Sequence, residues 1–371
     1  MKILIIAPYF FELHRWMISG YKTALCLSKK NKVVVLTTGK PFCERFNPNL
    51  KIYRMRDFFM PDPVNFSIVP GLLFYLLKVI NKEKPDVFLV NKHMFYTSFS
   101  IFWLKILGKK VFTQVDTFPG IIWFSRNPLV NIVLWIYART IGLFLLKISD
   151  KVILLHEGLI PTAKKYRLNY TVIHNGVDFN EIEKAKPASD ISQRAEDELR
   201  VIYVGRLESV KGYEDLLAVA QKMIQTNPNV KFYFAGSIDK KKEIVKKFKN
   251  KQIVFLDHRS DIFSVLKTMD IFVLPSYSEG LPNALMEAMA CGLVCVSSNV
   301  GGVKILIQDG ITGRLFSPGD KKVLESMILQ LTDDSELRMK LGKAAKEKIL
   351  REFGWNQITK KYKLLFNELK K

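Results

Sequence analysis

Short apolar, β-branched runs recur along this chain with helix-period segments between them, and that alternation restricts the fold more than any other feature. In the first half, Ile3–Ala7, Val33–Thr37, Val87–Val90, Val111–Val115 and Val152–Leu155 read as buried strands. In the second half, Val201–Val204, Lys231–Ala235, Ile253–Leu256, Ile271–Leu274 and Val294–Ser297 do the same. Runs that are apolar throughout, rather than alternating, suit strands covered on both faces. The pattern therefore predicts α/β architecture, with parallel sheets between layers of helices. At 371 residues the chain is long for one core, and two domains are expected.

A polar stretch from Asn180 to Glu198, containing Pro187, separates the halves and reads as a linker with a solvated helix. The expected division is a first domain over 1–178, a linker over 179–198 and a second domain over 199–354. In the closing segment, 355–371, Ile358, Tyr362, Leu365, Phe366 and Leu369 recur at helical spacing.

Several second-half strands end at Gly205, Gly236 or Pro275, and turns at strand C-termini are where open α/β sheets bind ligands. The richest stretch runs from Leu274 to Gly292. A strand ends near Pro275 and a loop carries Glu279 and Gly280. Pro282 suits the first turn of a helix, which runs through Ala284–Ala290 and stops at Gly292. Backbone N–H groups around Gly280, Leu281 and Asn283, beside Pro282, which has none, suit a phosphate or diphosphate together with the positive end of the helix. Were Glu279 and Glu287 both helical, a rise of ~1.5 Å per residue would set them ~12 Å apart. One carboxylate then suits a sugar and the other a ribose, since both offer hydroxyl donors. A second stretch, Val204 to Gly212, places Arg206 and Lys211 just beyond a strand end at Gly205, as two cations for a leaving diphosphate.

Gly205-Arg206 followed by Lys211-Gly212, then Ser278-Glu279-Gly280, Pro282, Glu287-Ala288, Ala290 and Gly292, resembles the signature of family 4 glycosyltransferases. Asn175-Gly176-Val177-Asp178 resembles that family's turn before its second domain. The stretch from Ile305 to Gly313, with Asp309-Gly310 and Thr312-Gly313, resembles a glycine-bearing stretch before its last helices. Order and spacing agree over about residues 172–371. The resemblance implies a GT-B fold, two Rossmann-like domains facing across a cleft, with the terminal helix of 355–371 returning to the first. It implies a retaining hexosyltransferase that takes its sugar from a UDP- or GDP-sugar as co-substrate, with no separate cofactor. Arg206 and Lys211 would then meet the diphosphate, Glu279 the donor sugar and Glu287 the ribose, while the Gly280–Asn283 backbone cradles phosphate. Retention is expected by front-face attack assisted by the departing phosphate, without a protein nucleophile. The sequence has no Asp-x-Asp motif, which fits a metal-independent site.

The first half departs from the family pattern. Where members often carry a Gly-Gly pair after the first strand, this chain reads Tyr9 to Gly20 with a single late Gly. His14 and Arg15 in that loop are acceptor-side or phosphate candidates, against the plainer reading of a surface loop. His93 and Asp116 follow strands and are acceptor-side candidates at strand C-termini. A packed histidine is the plainer reading of the first.

The formal charge of +22 sits mostly in the first half. Residues 1–178 hold 25 Lys/Arg against 10 Asp/Glu, and residues 179–371 hold 32 against 25. A basic surface attracts anionic lipid or phosphorylated substrates. Trp103, Trp123 and Trp135 lie in Phe-, Leu- and Ile-rich segments with Lys and Arg at intervals, as in a helix lying in a bilayer interface. No stretch reads as the ~18 uncharged apolar residues of a span. Asn127 to Ala138, bracketed by Arg126 and Arg139, comes closest. Met1 to Pro8 reads as a first strand rather than a signal peptide. The four cysteines are too scattered for a disulfide framework. The expectation is a cytoplasmic protein at the inner membrane face, acting on a lipid-linked or envelope glycan acceptor. No motif of a nucleic-acid module is present, so no nucleic-acid partner is expected. Two alternatives stay open: an epimerase or phosphorylase on the same fold, and a non-catalytic sugar-nucleotide binder.

Overall fold

The computed structural model describes residues 1–8, 18–60, 66–93, 95–122, 128–238 and 241–368. Two compact units form, one from Met1–Asn175 with Ile358–Lys371, the other from Gly176–Gln357.

In the first unit, β1 (Lys2–Ile6), β2 (Lys32–Thr38), β3 (Phe42–Asn47) and β4 (Leu50–Met55) come first, followed by a small hairpin of β5 (Phe58–Met60) and β6 (Phe66–Ile68). β7 (Val87–Asn91), β8 (Val111–Val115), β9 (Lys151–Leu154) and β10 (Tyr170–Val172) complete it. The main sheet has the order β10-β9-β8-β7-β1-β2-β4-β3, parallel except where β3 runs against β4. Ile3, Leu4, Ile5 and Ile6 of the central β1 are fully buried. Successive side chains of a strand point to opposite faces. Leu4 and Ile6 thus share one face with Val34, Leu36, Phe88 and Val90, against helix Leu72–Glu83. Strands β3 and β4 were not expected. Their charged, partly exposed residues break the apolar run that a buried strand shows.

The second unit holds one parallel sheet. Its strands are β11 (Leu199–Val204), β12 (Val230–Ala235), β13 (Ile253–Leu256), β14 (Ile271–Leu274), β15 (Val294–Ser298) and β16 (Arg314–Phe316), in the order β13-β12-β11-β14-β15-β16. The order turns at β11 and β14, so the chain ends of these two neighbours open a crevice between loops that diverge, the usual ligand position in such sheets.

The stretch expected as a linker over 179–198 is part of the second unit. Asp178 caps helix Phe179–Lys184 by accepting from the Asn180 N–H at 3.1 Å. Ile182 and Ala188 enter the unit's core, and the Ala188 N–H reaches the Ser264 carbonyl at 3.1 Å. Ile182 and Ala188, with Phe179 and Ile191 packed beside the core, anchor a segment whose composition is polar. Gly20 likewise lies inside helix Ile18–Ser28, and not in the loop after β1. The terminal helix Trp355–Glu368 buries Ile358, Tyr362 and Phe366. In the first unit Phe366 meets Phe112 edge-on at 5.0 Å, and the Tyr362 hydroxyl accepts from Gln114 Nε2 at 3.2 Å.

Candidate active site

Beyond β11 the chain turns at Gly205, and its carbonyl abuts Gly236 so closely that a Cβ there would lie 2.0 Å away. The buried Tyr203 hydroxyl donates to the Arg206 carbonyl at 2.7 Å and fixes the turn. Burial, and then the nearby Glu279 charge, push that phenol well above its ordinary value, so it stays a donor. A single 3-10 turn, Ser209–Lys211, leads to Gly212 in the left-handed region at φ 65°. A Cβ on Gly212 would sit 2.0 Å from the Pro275 carbonyl. The Tyr277 N–H donates to the Val210 carbonyl at 2.9 Å. The loops after β11 and β14 are thus laced backbone to backbone, which places side chains 68 residues apart in one cluster.

At its centre is Glu279. Lys211 Nζ donates to its two carboxylate oxygens at 2.8 and 2.9 Å, and the buried Ser276 hydroxyl donates to Oε1 at 2.7 Å. Charge-assisted bonds of this length hold a side chain in one orientation. The carboxylate is 7% exposed, so the pair is short of water but still reachable from one side. Arg206 is the more open cation, paired with Glu208 at 2.8 Å.

Helix Asn283–Cys291 starts beside this cluster and ends at Gly292 in the left-handed region at φ 87°. Pro282 is its N-cap, with extended backbone, and not a first-turn residue as expected. The ring fixes φ near the helical value in both positions, so sequence cannot separate them. Gly280 and Leu281 lead into the cap, and the Gly280 carbonyl accepts from the Gly302 N–H at 2.8 Å. The N–H groups of a first helical turn suit an anion. Glu279 lies in the loop and only Glu287 on the helix, so the ~12 Å helical separation does not describe them. Glu287 is half-buried about one turn into the helix.

In the first unit, His93 and Asp116 lie beyond β7 and β8. Between them stands Lys92, whose ammonium meets Asp116 Oδ2 at 2.6 Å while its backbone adopts φ 67°. Burial works upward on the Asp116 carboxyl, but Lys92 outweighs it and holds the pKa below the ordinary value. His93 is buried against Phe118, and its carbonyl accepts from the Tyr137 hydroxyl at 3.0 Å. His156, just past β9, sets Nε2 3.3 Å from the Asp116 carbonyl. Sequence reading did not single out Lys92, His156 or Ser276. The signal was there: all three follow strand ends, the rule that selected His93 and Asp116. His14 and Arg15 fall outside the described residues.

Burial lowers the His93 pKa from 6.5 to about 4, and it lowers that of His156 as well. Between those values the unfolded chain binds a proton that the folded chain refuses. Stability is therefore complete above pH 6.5 and falls as pH drops toward 4, by up to about 3 kcal/mol for His93. Denaturant melts across pH 4–8 should show this slope, flattened in His93→Gln. An unchanged slope in that variant removes His93 as its source.

Residues 21–181 match the family model described as Glycosyltransferase Family 4, and residues 185–348 match Glycosyl transferases group 1. The UDP-Gal:alpha-D-GlcNAc-diphosphoundecaprenol alpha-1,3-galactosyltransferase of Escherichia coli is 28% identical over 341 residues, covering 85% of this chain and 84% of that protein. Among solved structures, sucrose-phosphate synthase from Thermosynechococcus elongatus superposes with a TM-score of 0.77 at 18% identity, over 100% of this chain and 99% of that one. HepE of Anabaena in complex with UDP-glucose gives 0.74 at 15% identity, over 99% and 100%. These likenesses give the same fold as the two Rossmann-like sheets.

Proposed function

Because the chain belongs to glycosyltransferase family 4, retaining enzymes of GT-B fold that take a sugar from a nucleotide sugar, we propose that it passes a hexose to a lipid-linked or envelope glycan acceptor at the cytoplasmic face of a membrane. The Lys211–Glu279 pair at the mouth of the second sheet carries this reading. Glu279 accepts from donor-sugar hydroxyls, and Lys211 and Arg206 neutralise the diphosphate as it leaves. Backbone N–H groups over Gly280–Asn283 hold phosphate, and Glu287 takes the ribose. The acceptor oxygen bonds to the anomeric carbon on the face from which diphosphate departs, and its proton passes to a leaving phosphate oxygen. His93 and Asp116 serve the acceptor side.

The E. coli relative's named substrate, a diphosphoundecaprenol glycolipid, supports a lipid-linked acceptor, and UDP-glucose in HepE supports a UDP-sugar donor. A panel of UDP- and GDP-sugars, with and without EDTA, tests the reading. One donor should release its nucleotide equally with EDTA, faster when lipid-linked acceptor is added. If calorimetry detects no binding of any nucleotide or sugar nucleotide, the roles given to Arg206, Lys211 and Glu287 fail.

A further inference from the structure

The apolar segment following residue 127 folds differently from its sequence reading. Helix Pro128–Tyr137, five residues of π-helix at Ala138–Gly142 and helix Leu143–Ile148 join without a break. The run Leu129–Ile148 is long and apolar enough to cross a bilayer, although no such stretch was expected. Arg139 was read as closing the apolar stretch, but it lies on the exposed side of the helix, as does Lys147.

Two faces of this run differ sharply. Ala138, Gly142, Leu143, Leu145 and Leu146 are buried. Leu145 packs into the core beside β7 and β8, and Leu146 into the core around Val115, Val152 and Leu154. On the other face Ile132, Val133, Ile136 and Phe144 are between 50 and 65% exposed, at the spacing of one helical stripe. The stripe continues onto helix Ser100–Ile106, where Phe102 lies 6.4 Å from the Phe144 ring and Ile106 is also exposed. Contiguous exposed apolar surface on this scale marks an interaction site.

The charges around it select the partner. From residue 87 to 149 the chain carries seven Lys/Arg and a single acid, Asp116, which Lys92 already neutralises. Lys109, Lys110, Arg139 and Lys147 are exposed along the stripe, and the Arg139 guanidinium lies over the exposed Trp135 ring at 4.5 Å. Cations beside an apolar stripe, with an indole at their level, match anionic headgroups above acyl chains. A second copy of the chain would bring like charges together. A spanning helix would have to tear Leu145 and Leu146 out of the core.

We propose that Leu129–Ile148, with helix Ser100–Ile106, is a monotopic anchor that lies in the plane of an anionic membrane and inserts Ile132, Val133, Ile136 and Phe144 among the acyl chains. Trp103, by contrast, packs partly against the core, and Trp123 falls outside the described residues. The proposal rests on the membrane-face reading above and gives it a surface and a depth. At about 1.5 Å per residue the helix lays ~30 Å of contact along the headgroup boundary.

Flotation with vesicles of phosphatidylglycerol or of phosphatidylcholine tests it on the full chain. Wild type should float with the first far more than with the second, and alkaline carbonate should release it. Val133→Glu/Ile136→Glu should lower binding at least tenfold. Leu350→Glu, an exposed leucine on the second unit's long helix, should leave binding unchanged. Equal flotation of wild type and the double variant overturns the proposal. So does carbonate-resistant binding, which means a span, or a concentration-dependent dimer without flotation, which means a second copy. Transfer to a detergent-solubilised lipid acceptor is read separately. Transfer without flotation sinks the anchor and spares the acceptor reading. Flotation with transfer only to soluble acceptors does the reverse.

Discussion

Glu279→Ala is expected to lower the turnover number by about 10²-fold or more while nucleotide affinity holds or rises. The carboxylate is held by three hydrogen bonds from Lys211 and Ser276, so its position is set before substrate arrives. Removing one preorganised polar group of this kind typically costs 10²–10³-fold in rate. The same change releases the Lys211 ammonium, whose natural alternative is the diphosphate. A fall in kcat with an unchanged or smaller Kd for the nucleotide therefore separates a catalytic carboxylate from a binding one. Calorimetry with UDP and GDP, beside steady-state transfer, provides both numbers. Glu279→Gln keeps the side-chain shape and one acceptor oxygen, and should fall between. If Glu279→Ala turns over at the wild-type rate, the role given to Glu279 is wrong.

Gly301→Ala should be the most damaging small substitution near the site. Its backbone sits at φ 48°, and a Cβ there would lie 1.9 Å from the Glu279 carbonyl. Left-handed backbone alone costs an alanine about 1 kcal/mol relative to glycine. The overlap with backbone, which has no rotamer to escape into, should raise the loss to about 2–4 kcal/mol. Any relief moves Glu279, so activity should fall with stability. Gly310→Ala is the control. Its φ is 73°, yet nothing lies within 4 Å of the added carbon, so it should lose only about 1 kcal/mol and keep its activity. Denaturant unfolding of both variants, with transfer assays on the folded protein, makes the comparison. Equal losses would mean that the contact with Glu279 does not matter.

Much of the second unit was legible because its chemistry is written in short, contiguous stretches. A strand, a glycine-bearing loop and a capped helix from Leu274 to Gly292 announce a phosphate site through local rules of backbone hydrogen bonding. The buried strands were legible for a related reason, since residues covered on both faces leave no polar alternation. The edge strand β3 and its neighbour β4 lacked that mark. The segment after Asp178 misled because polar composition says nothing of two apolar anchors, Ile182 and Ala188.

The sequence by itself determined the class of fold, the position of the phosphate-binding loop and the identity of the charged groups near it. These follow from periodicity and from residues within a few positions of one another. Only the tertiary structure decided how those groups pair. Lys211 and Glu279 are 68 residues apart, and two laced loops bring them to 2.8 Å. Lys92 and Asp116 meet because β7 and β8 are neighbours in the sheet. The two faces of Leu129–Ile148 were decided in the same way. Its apolar residues lie on every side of the helix, so their pattern does not say which side is covered. The sheet beneath takes Leu145 and Leu146, and what remains outside is the stripe from Ile132 to Phe144.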